Sequence, residues 1–114
     1  MYQSGDILLV PFPFTNQSGN KVRPVLVIAD SDAINQPNDI LTVMISTQDK
    51  SSGIKIKMDN EFLSIPLKKD NNFIYCNKIC VLEESIVRKK ISRISDFSLF
   101  NQVINSIKGY LLMK

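Results

Sequence analysis

The chain contains no histidine and only two cysteines in 114 residues. Histidine is the usual acid, base and proton shuttle of neutral-pH enzymes, so any catalysis here must run on other groups. Its absence also thins the ligand supply for zinc. The thiolates of Cys76 and Cys80 would have to be completed by carboxylates, an uncommon set for a structural site. No metal and no cofactor is expected. Two cysteines do not make a disulfide framework, and both read as reduced packing residues. No apolar run approaches the roughly 18 residues of a membrane span. The opening MYQSGD has neither a basic leader nor an apolar signal core. The expectation is a cytoplasmic protein with no membrane partner.

What is present suits a single domain over residues 1–114, long enough to bury a core and too short for two. The hydrophobic fraction of 44% against 22% charged is ordinary for a soluble globular chain. A net charge of +3 permits a polyanionic partner without requiring one. The basic residues fall in clusters: Lys21 with Arg23, Lys55 with Lys57, Lys68 with Lys69, and Arg88 to Lys90 with Arg93.

The stretch GDILLVPFPFTNQSGNKVRPVLVI, Gly5 to Ile28, reads as strand, polar loop, strand. The first strand covers about Asp6 to Phe12, with Pro11 and Pro13 marking its end because proline removes a ladder donor. The second, Val22 to Ala29, is almost continuously apolar and β-branched, as a buried central strand is. Arg23 stands where the loop becomes core, and the following Pro24 holds it extended. Asp30 to Asp39 reads as a loop with one helical turn capped by Ser31 or Asp32. A third strand, Ile40 to Ile45, delivers Ser46, Thr47 and Gln48 at its end.

After a turn at Asp49 to Gly53, Ile54 to Met58 alternates isoleucine inward with Lys55 and Lys57 outward. Asn60 to Asn72 is polar and proline-interrupted. Phe73 to Cys76 and Ile79 to Leu82 read as two strands joined through Asn77 and Lys78, and Val87 to Ile91 as a last one. Ser95 is a candidate N-cap, with Asp96 in the first turn of a helix. Phe97, Phe100, Ile104, Ile107 and Leu111, widened by Val103 and Leu112, form that helix's apolar stripe. The expected class is mainly β with α: a small barrel of short strands with a C-terminal amphipathic helix.

Four pieces of this chain, GDILLVPF, KVRPVLVI, ISTQ and the terminal helix, together resemble the MazF/PemK family of toxins from bacterial toxin–antitoxin pairs. The resemblance spans nearly the whole chain and implies an SH3-like barrel that forms homodimers. It further implies an endoribonuclease, an mRNA interferase, that cleaves single-stranded RNA at short sequences without metal. By the same resemblance an acidic antitoxin is the expected protein partner. A non-cleaving nucleic-acid binder or gyrase-inhibiting toxin on the same fold is the alternative.

The family assigns catalysis to the arginine of the R-P pair and to a hydroxyl residue two positions before a glutamine. These match Arg23 and Ser46. The usual hydroxyl residue is threonine, and here the threonine, Thr47, comes one residue later, as the alternative hydroxyl. Side chains alternate across a strand, so only one of the two faces Arg23, and alignment through Gln48 favours Ser46. Some members carry a glutamate in the first loop, whereas TNQSGNK has none. RNA contact is expected from Phe14, Thr15, Asn16, Ser18, Lys21, Gln48, Lys55, Lys57 and Asn77. On residue type alone the two lysines are a solvated strand face, and Phe12 and Phe14 are packing rings.

A ribonuclease needs no nucleophile of its own, because RNA brings the 2′-hydroxyl. What it must supply is positioning and donors for the charge that grows on the phosphoryl oxygens. A guanidinium is protonated at any working pH and presents a planar fork matched to those oxygens. The implied products are a 2′,3′-cyclic phosphate and a 5′-hydroxyl; no general base is assigned.

Overall fold

The computed structural model describes residues 2–11, 21–34, 37–50 and 53–112. Six strands form one antiparallel sheet: β1 Asp6–Pro11, β2 Val22–Ala29, β3 Asp39–Ser46, β4 Lys55–Met58, β5 Asn72–Glu83 and β6 Lys89–Arg93. Among the described residues there are two α-helices, a single turn α1 (Ser31–Ile34) and the 16-residue α2 (Phe97–Leu112). The sheet order is β4-β5-β3-β2-β1-β6, which sets the apolar β2 and β3 at its centre. Beyond β4 and β6, a bridge between Leu63 and Ile94 draws the two outer strands' ends together, so that the sheet curls into a half-barrel.

Alternation divides the side chains between two faces. Ile7, Leu26, Val43, Ile45, Met58, Ile74 and Cys76 point inward and meet Leu99, Val103 and Ile107 of α2. Leu8, Val10, Val25, Val27, Ile40 and Leu82 occupy the other face, under Tyr2, Met44, Ile86 and Val87. Each face of the curled sheet thus has its own apolar cluster, which explains why β2 reads as continuously hydrophobic.

The Gly-Asp pair at the start of β1 is structural. Gly5 takes φ +94°, a conformation L side chains rarely adopt, and packs against the Arg93 guanidinium. Asp6 is 2% exposed; its Oδ1 accepts from Arg93 Nη1 at 2.6 Å and lies 3.2 Å from Lys90 Nζ. Its Oδ2 accepts from the Gln3 amide at 2.9 Å. A buried carboxylate is tolerable because it is paired and hydrogen-bonded in this way.

Several sequence expectations are corrected. Phe73 to Cys76 and Ile79 to Leu82 are one strand, β5, whose register against β3 slips between Val43 and Met44, opposite Cys76 to Lys78. The polar pair that looked like a connection is the bulge that bends it. The last strand begins later than Val87, because a 3₁₀ turn over Glu84–Ile86 is closed by the Val87 amide on the Glu84 carbonyl. Asp96, not Ser95, caps α2: Asp96 Oδ1 accepts from the Ser98 amide, while Ser95 Oγ donates to the Phe62 carbonyl. Likewise Asp30 caps α1 through Ala33. The buried stripe of α2 is Leu99, Val103 and Ile107, whereas Phe97, Leu111 and Leu112 are exposed. Helical spacing alone admits both stripes, and contact with the sheet selects one.

Candidate nucleic-acid interface

Arg23 lies on β2, opposite Val10 of β1, so it shares the face of Leu8, Val10 and Val25. Its neighbour Pro24 has no N–H, and the β2–β3 ladder ends at the next pair, Val25 with Met44. Continuing that register by two residues sets Arg23 opposite Ser46 where the two strands are no longer bonded. Ser46 in turn pairs with Phe73 on β5, and Phe73 with Lys57 on β4. One row across the sheet therefore reads Val10, Arg23, Ser46, Phe73, Lys57. The row beside it reads Leu8, Val25, Met44, Tyr75, Lys55.

Arg23 is half-buried, and its Nε is shielded from solvent with no hydrogen-bond partner among the described residues. Burying a guanidinium donor unpaired costs free energy, so this is a group set up for an acceptor from outside the described residues. The Ser46 hydroxyl accepts from the Gln48 amide at 3.1 Å, which leaves its own proton free to donate. Thr47 points the other way. It lines a cleft on the opposite face with Leu9 and Pro24.

The turn after Ser46 is pinned. Tyr75, 3% exposed, donates its hydroxyl proton to the Gln48 carbonyl and accepts from the Lys50 amide at 3.0 Å. Lys55 reaches the same turn: its ammonium pairs with Asp49 at 2.7 Å and donates to the Lys50 carbonyl. Lys57 is less engaged, with Asp59 at 3.8 Å and about half of its side chain exposed.

The nine residues expected to contact RNA separate into groups. Lys57 shares the row of Arg23 and Ser46, while Lys55 is a strut for the adjoining turn. Gln48 is exposed and held by its backbone. Asn77 is committed to structure, its Oδ1 accepting from the Ile54 amide at 3.2 Å. Gly53 beside it takes φ +103°, a conformation L side chains rarely adopt. Lys21 is exposed just ahead of β2. Phe14, Thr15, Asn16 and Ser18, like Phe12, lie outside the described residues.

Two aromatic residues of this face, Phe73 and Tyr75, are absent from the sequence-based set. Alternation with Ile74 and Cys76 was the available signal, since it sets Phe73, Tyr75 and Asn77 on one face. Neither cysteine joins the site. Cys76 is fully buried and burial pushes its thiol up to about 11, so it packs as a neutral group. Among the described residues no three His, Cys, Asp or Glu side chains gather where a metal ion would sit. No helix among them is long and apolar enough to cross a membrane.

A curled six-stranded sheet with one face carrying an arginine whose Nε has no partner among the described residues, a hydroxyl and two lysines is the kind of surface that takes an anionic chain. Residues 3–110 match the family model of the PemK-like, MazF-like toxins of type II toxin–antitoxin systems, and the chain belongs to that family. No curated protein matches it by sequence alone. Solved structures share its fold at low identity. An endoribonuclease in complex with its cognate antitoxin from a mycobacterial species superposes with a TM-score of 0.74 at 13% identity, over 100% of this chain and 98% of that one. The MazE–MazF complex of Deinococcus radiodurans in its form III gives 0.74 at 13%, covering 99% and 98%. The Mycobacterium tuberculosis toxin MazF-mt6 gives 0.70 at 11%, covering 96% and 98%.

Proposed function

We propose that this protein is the toxin of a type II pair and a metal-independent endoribonuclease that cuts single-stranded RNA at preferred short sequences. The observation that carries the reading is Arg23. Its shielded Nε has no hydrogen-bond partner among the described residues, and the β2–β3 register carried two residues past Val25–Met44 sets it opposite Ser46, where the loss of the Pro24 donor lets β2 and β3 part. In this reading a phosphodiester sits over that gap. The guanidinium fork takes the two non-bridging oxygens, Ser46 donates its free proton to one of them, and the 2′-hydroxyl attacks in line. The bond to the 5′-oxygen breaks, leaving a 2′,3′-cyclic phosphate and a 5′-hydroxyl. The proton lost by the 2′-hydroxyl has no assigned acceptor.

Lys57 adds backbone attraction, and Phe73 between Ser46 and Lys57 offers a ring for an unstacked base. The protein works as a homodimer, and an acidic antitoxin segment competes with RNA for the basic face. The test is incubation of folded, antitoxin-free protein with a long RNA in EDTA. Discrete cleavage with cyclic-phosphate ends is the expected outcome. Intact RNA, with either tight RNA binding or inhibition of gyrase, selects the non-cleaving alternative instead.

A further inference from the structure

The row that carries Arg23 and Ser46 ends at Lys57, and there the sheet ends too. β4 is a terminal strand of four residues, and the amides and carbonyls along its outer side meet no other described strand. Beside that edge, between β4 and the first two turns of α2, lies a cleft of about 410 Å³. Its size falls within the roughly 300–1,000 Å³ of small-ligand sites. Ile56, Leu99 and Phe62 give it an apolar side, and Lys57, Ser98 and Gln102 give it a polar one. Lys57 thus belongs to the row and to the cleft at once.

The apolar wall is fixed in place. Phe62 ends a 3₁₀ turn, Asn60–Phe62, with its amide on the Asp59 carbonyl at 3.0 Å. Its own carbonyl accepts from the Ser95 amide at 2.8 Å and from Ser95 Oγ at 3.0 Å. The side chain is half-buried against the core, and its open part lines the cleft. The polar wall is unspent. Asp96, also in the lining, caps the Ser98 backbone amide, but the Ser98 hydroxyl and the Gln102 side-chain amide have no hydrogen-bond partner among the described residues. The Lys57 ammonium has Asp59 at 3.8 Å. A fixed ring beside free donors and acceptors loses little entropy when a ligand arrives.

We infer that the cleft between β4 and α2 is a base-binding subsite for a nucleotide flanking the bond that is cut, separate from the platform that Phe73 offers. A strand whose scissile phosphate lies over the gap between Arg23 and Ser46 reaches Lys57 after two strand spacings, about 10 Å. There a backbone phosphate meets the ammonium, and its base turns over the edge with one face on Phe62 and its hydrogen-bonding edge toward Gln102 and Ser98. Ring, side-chain amide and ammonium are the three parts an unpaired nucleotide uses, for stacking, edge hydrogen bonds and phosphate. Addition of a protein strand is the poorer fit, because the open edge is only four residues long. The inference rests on the RNA reading above for the presence of the strand, and adds where a second base goes.

The experiment is a binding cycle by fluorescence anisotropy in EDTA, with the full-length protein and two labelled oligonucleotides. One is a mixed-sequence single strand, 2′-O-methylated throughout so that no 2′-hydroxyl attacks; the other has the same length and abasic sugars. Phe62→Leu and Gln102→Leu are each expected to weaken binding of the base-bearing strand about five-fold and of the abasic strand less than about two-fold. Phe62→Tyr, which keeps the ring, binds within about two-fold of the unaltered protein. Gln102 is exposed, so its replacement leaves the fold intact, and it decides the matter should a thermal melt show Phe62→Leu unfolded. Equal losses on both strands overturn the inference, as do unchanged affinity in both variants and absence of binding. A flat cycle together with a shifted protomer–dimer equilibrium of Gln102→Leu in sedimentation overturns it in favour of a second copy of this chain on the β4 edge. Cleavage of unmodified RNA is read separately. If RNA is cut, Arg23→Ala stops it and the cycle is flat, the subsite falls and the nuclease reading stands; if the cycle holds and no RNA is cut, the subsite stands and the nuclease reading falls.

Discussion

Two arginines of the same half-barrel have opposite fates. Arg93 on β6 gives its guanidinium to the buried carboxylate of Asp6 at 2.6 Å, beside Gly5. Arg23 on β2 is also partly buried, yet its Nε meets no acceptor among the described residues. The lysines of β4 repeat the contrast, with Lys55 drawn onto Asp49 at 2.7 Å and Lys57 standing 3.8 Å from Asp59. A cation whose charge is taken up by its own protein holds the fold together. On the proposed reading, a cation that its own protein does not take up on this face is the one left for phosphate, and that distinction rather than the count of basic residues is what the variants below test.

The sharpest way to break the comparison is to truncate both arginines. Arg23→Ala is expected to lower the rate of RNA cleavage by about 10²–10³, the worth of one donor aimed at developing charge, with little change in the thermal midpoint. Arg93→Ala should do the reverse. It takes one charged partner from buried Asp6, leaving Lys90 and the Gln3 amide, and costs about 1–3 kcal/mol of stability in urea unfolding, while the folded fraction still cuts. Unfolding on loss of Arg23, or lost cleavage in a fully folded Arg93 variant, would erase the distinction. Tyr75→Phe comes next: removing the hydroxyl that bridges Gln48 and Lys50 should cost about 1–2 kcal/mol. It should also reduce turnover more than RNA affinity, because the turn carrying Ser46 loosens.

Smaller effects sharpen the lysine half of the comparison. Lys57→Ala should reduce the slope of log affinity against log salt by about 1, measured by RNA binding under non-cleaving conditions. Lys55→Ala should leave that slope nearly unchanged. The least effect is expected from Cys76. With its thiol raised from 9.0 to about 11 in the folded protein, the unfolded chain gives up a proton between those values that the folded chain retains. Stability therefore declines as pH rises through that window, and Cys76→Ala should show a shallower decline in urea titrations at pH values on either side of 9.

Much of the fold is legible along the chain. The strand–loop–strand start, the half-exposed β4 and the terminal helix follow from periods of two and of three to four residues. The failures sit where two local readings were equally good. Asn77–Lys78 has the composition of a turn and is a bulge in β5. Ser95 and Asp96 are both competent caps, and Ser95 was taken by the Phe62 carbonyl. Phe97, Leu111 and Leu112 belong to an apolar stripe wider than the sheet can cover. Within the candidate site, the R-P and S-T-Q patterns, read through the family resemblance, singled out Arg23 and Ser46, whereas Phe73 and Tyr75 looked like ordinary strand aromatics.

By itself, the order of residues determined which side chains share a face within each strand, because alternation is a property of neighbouring peptide units. That is enough to separate Ser46 from Thr47. Only the tertiary structure decided which strands lie side by side and in what register, since those choices depend on contacts between distant segments. It set Ser46 against Phe73 and ended the β2–β3 ladder at Val25 and Met44, two residues short of Arg23 and Ser46. It also brought Arg93 to an aspartate 87 residues away while giving Arg23 no such neighbour among the described residues. Charge is written in the sequence, but whether a charge is spent depends on what the fold brings beside it.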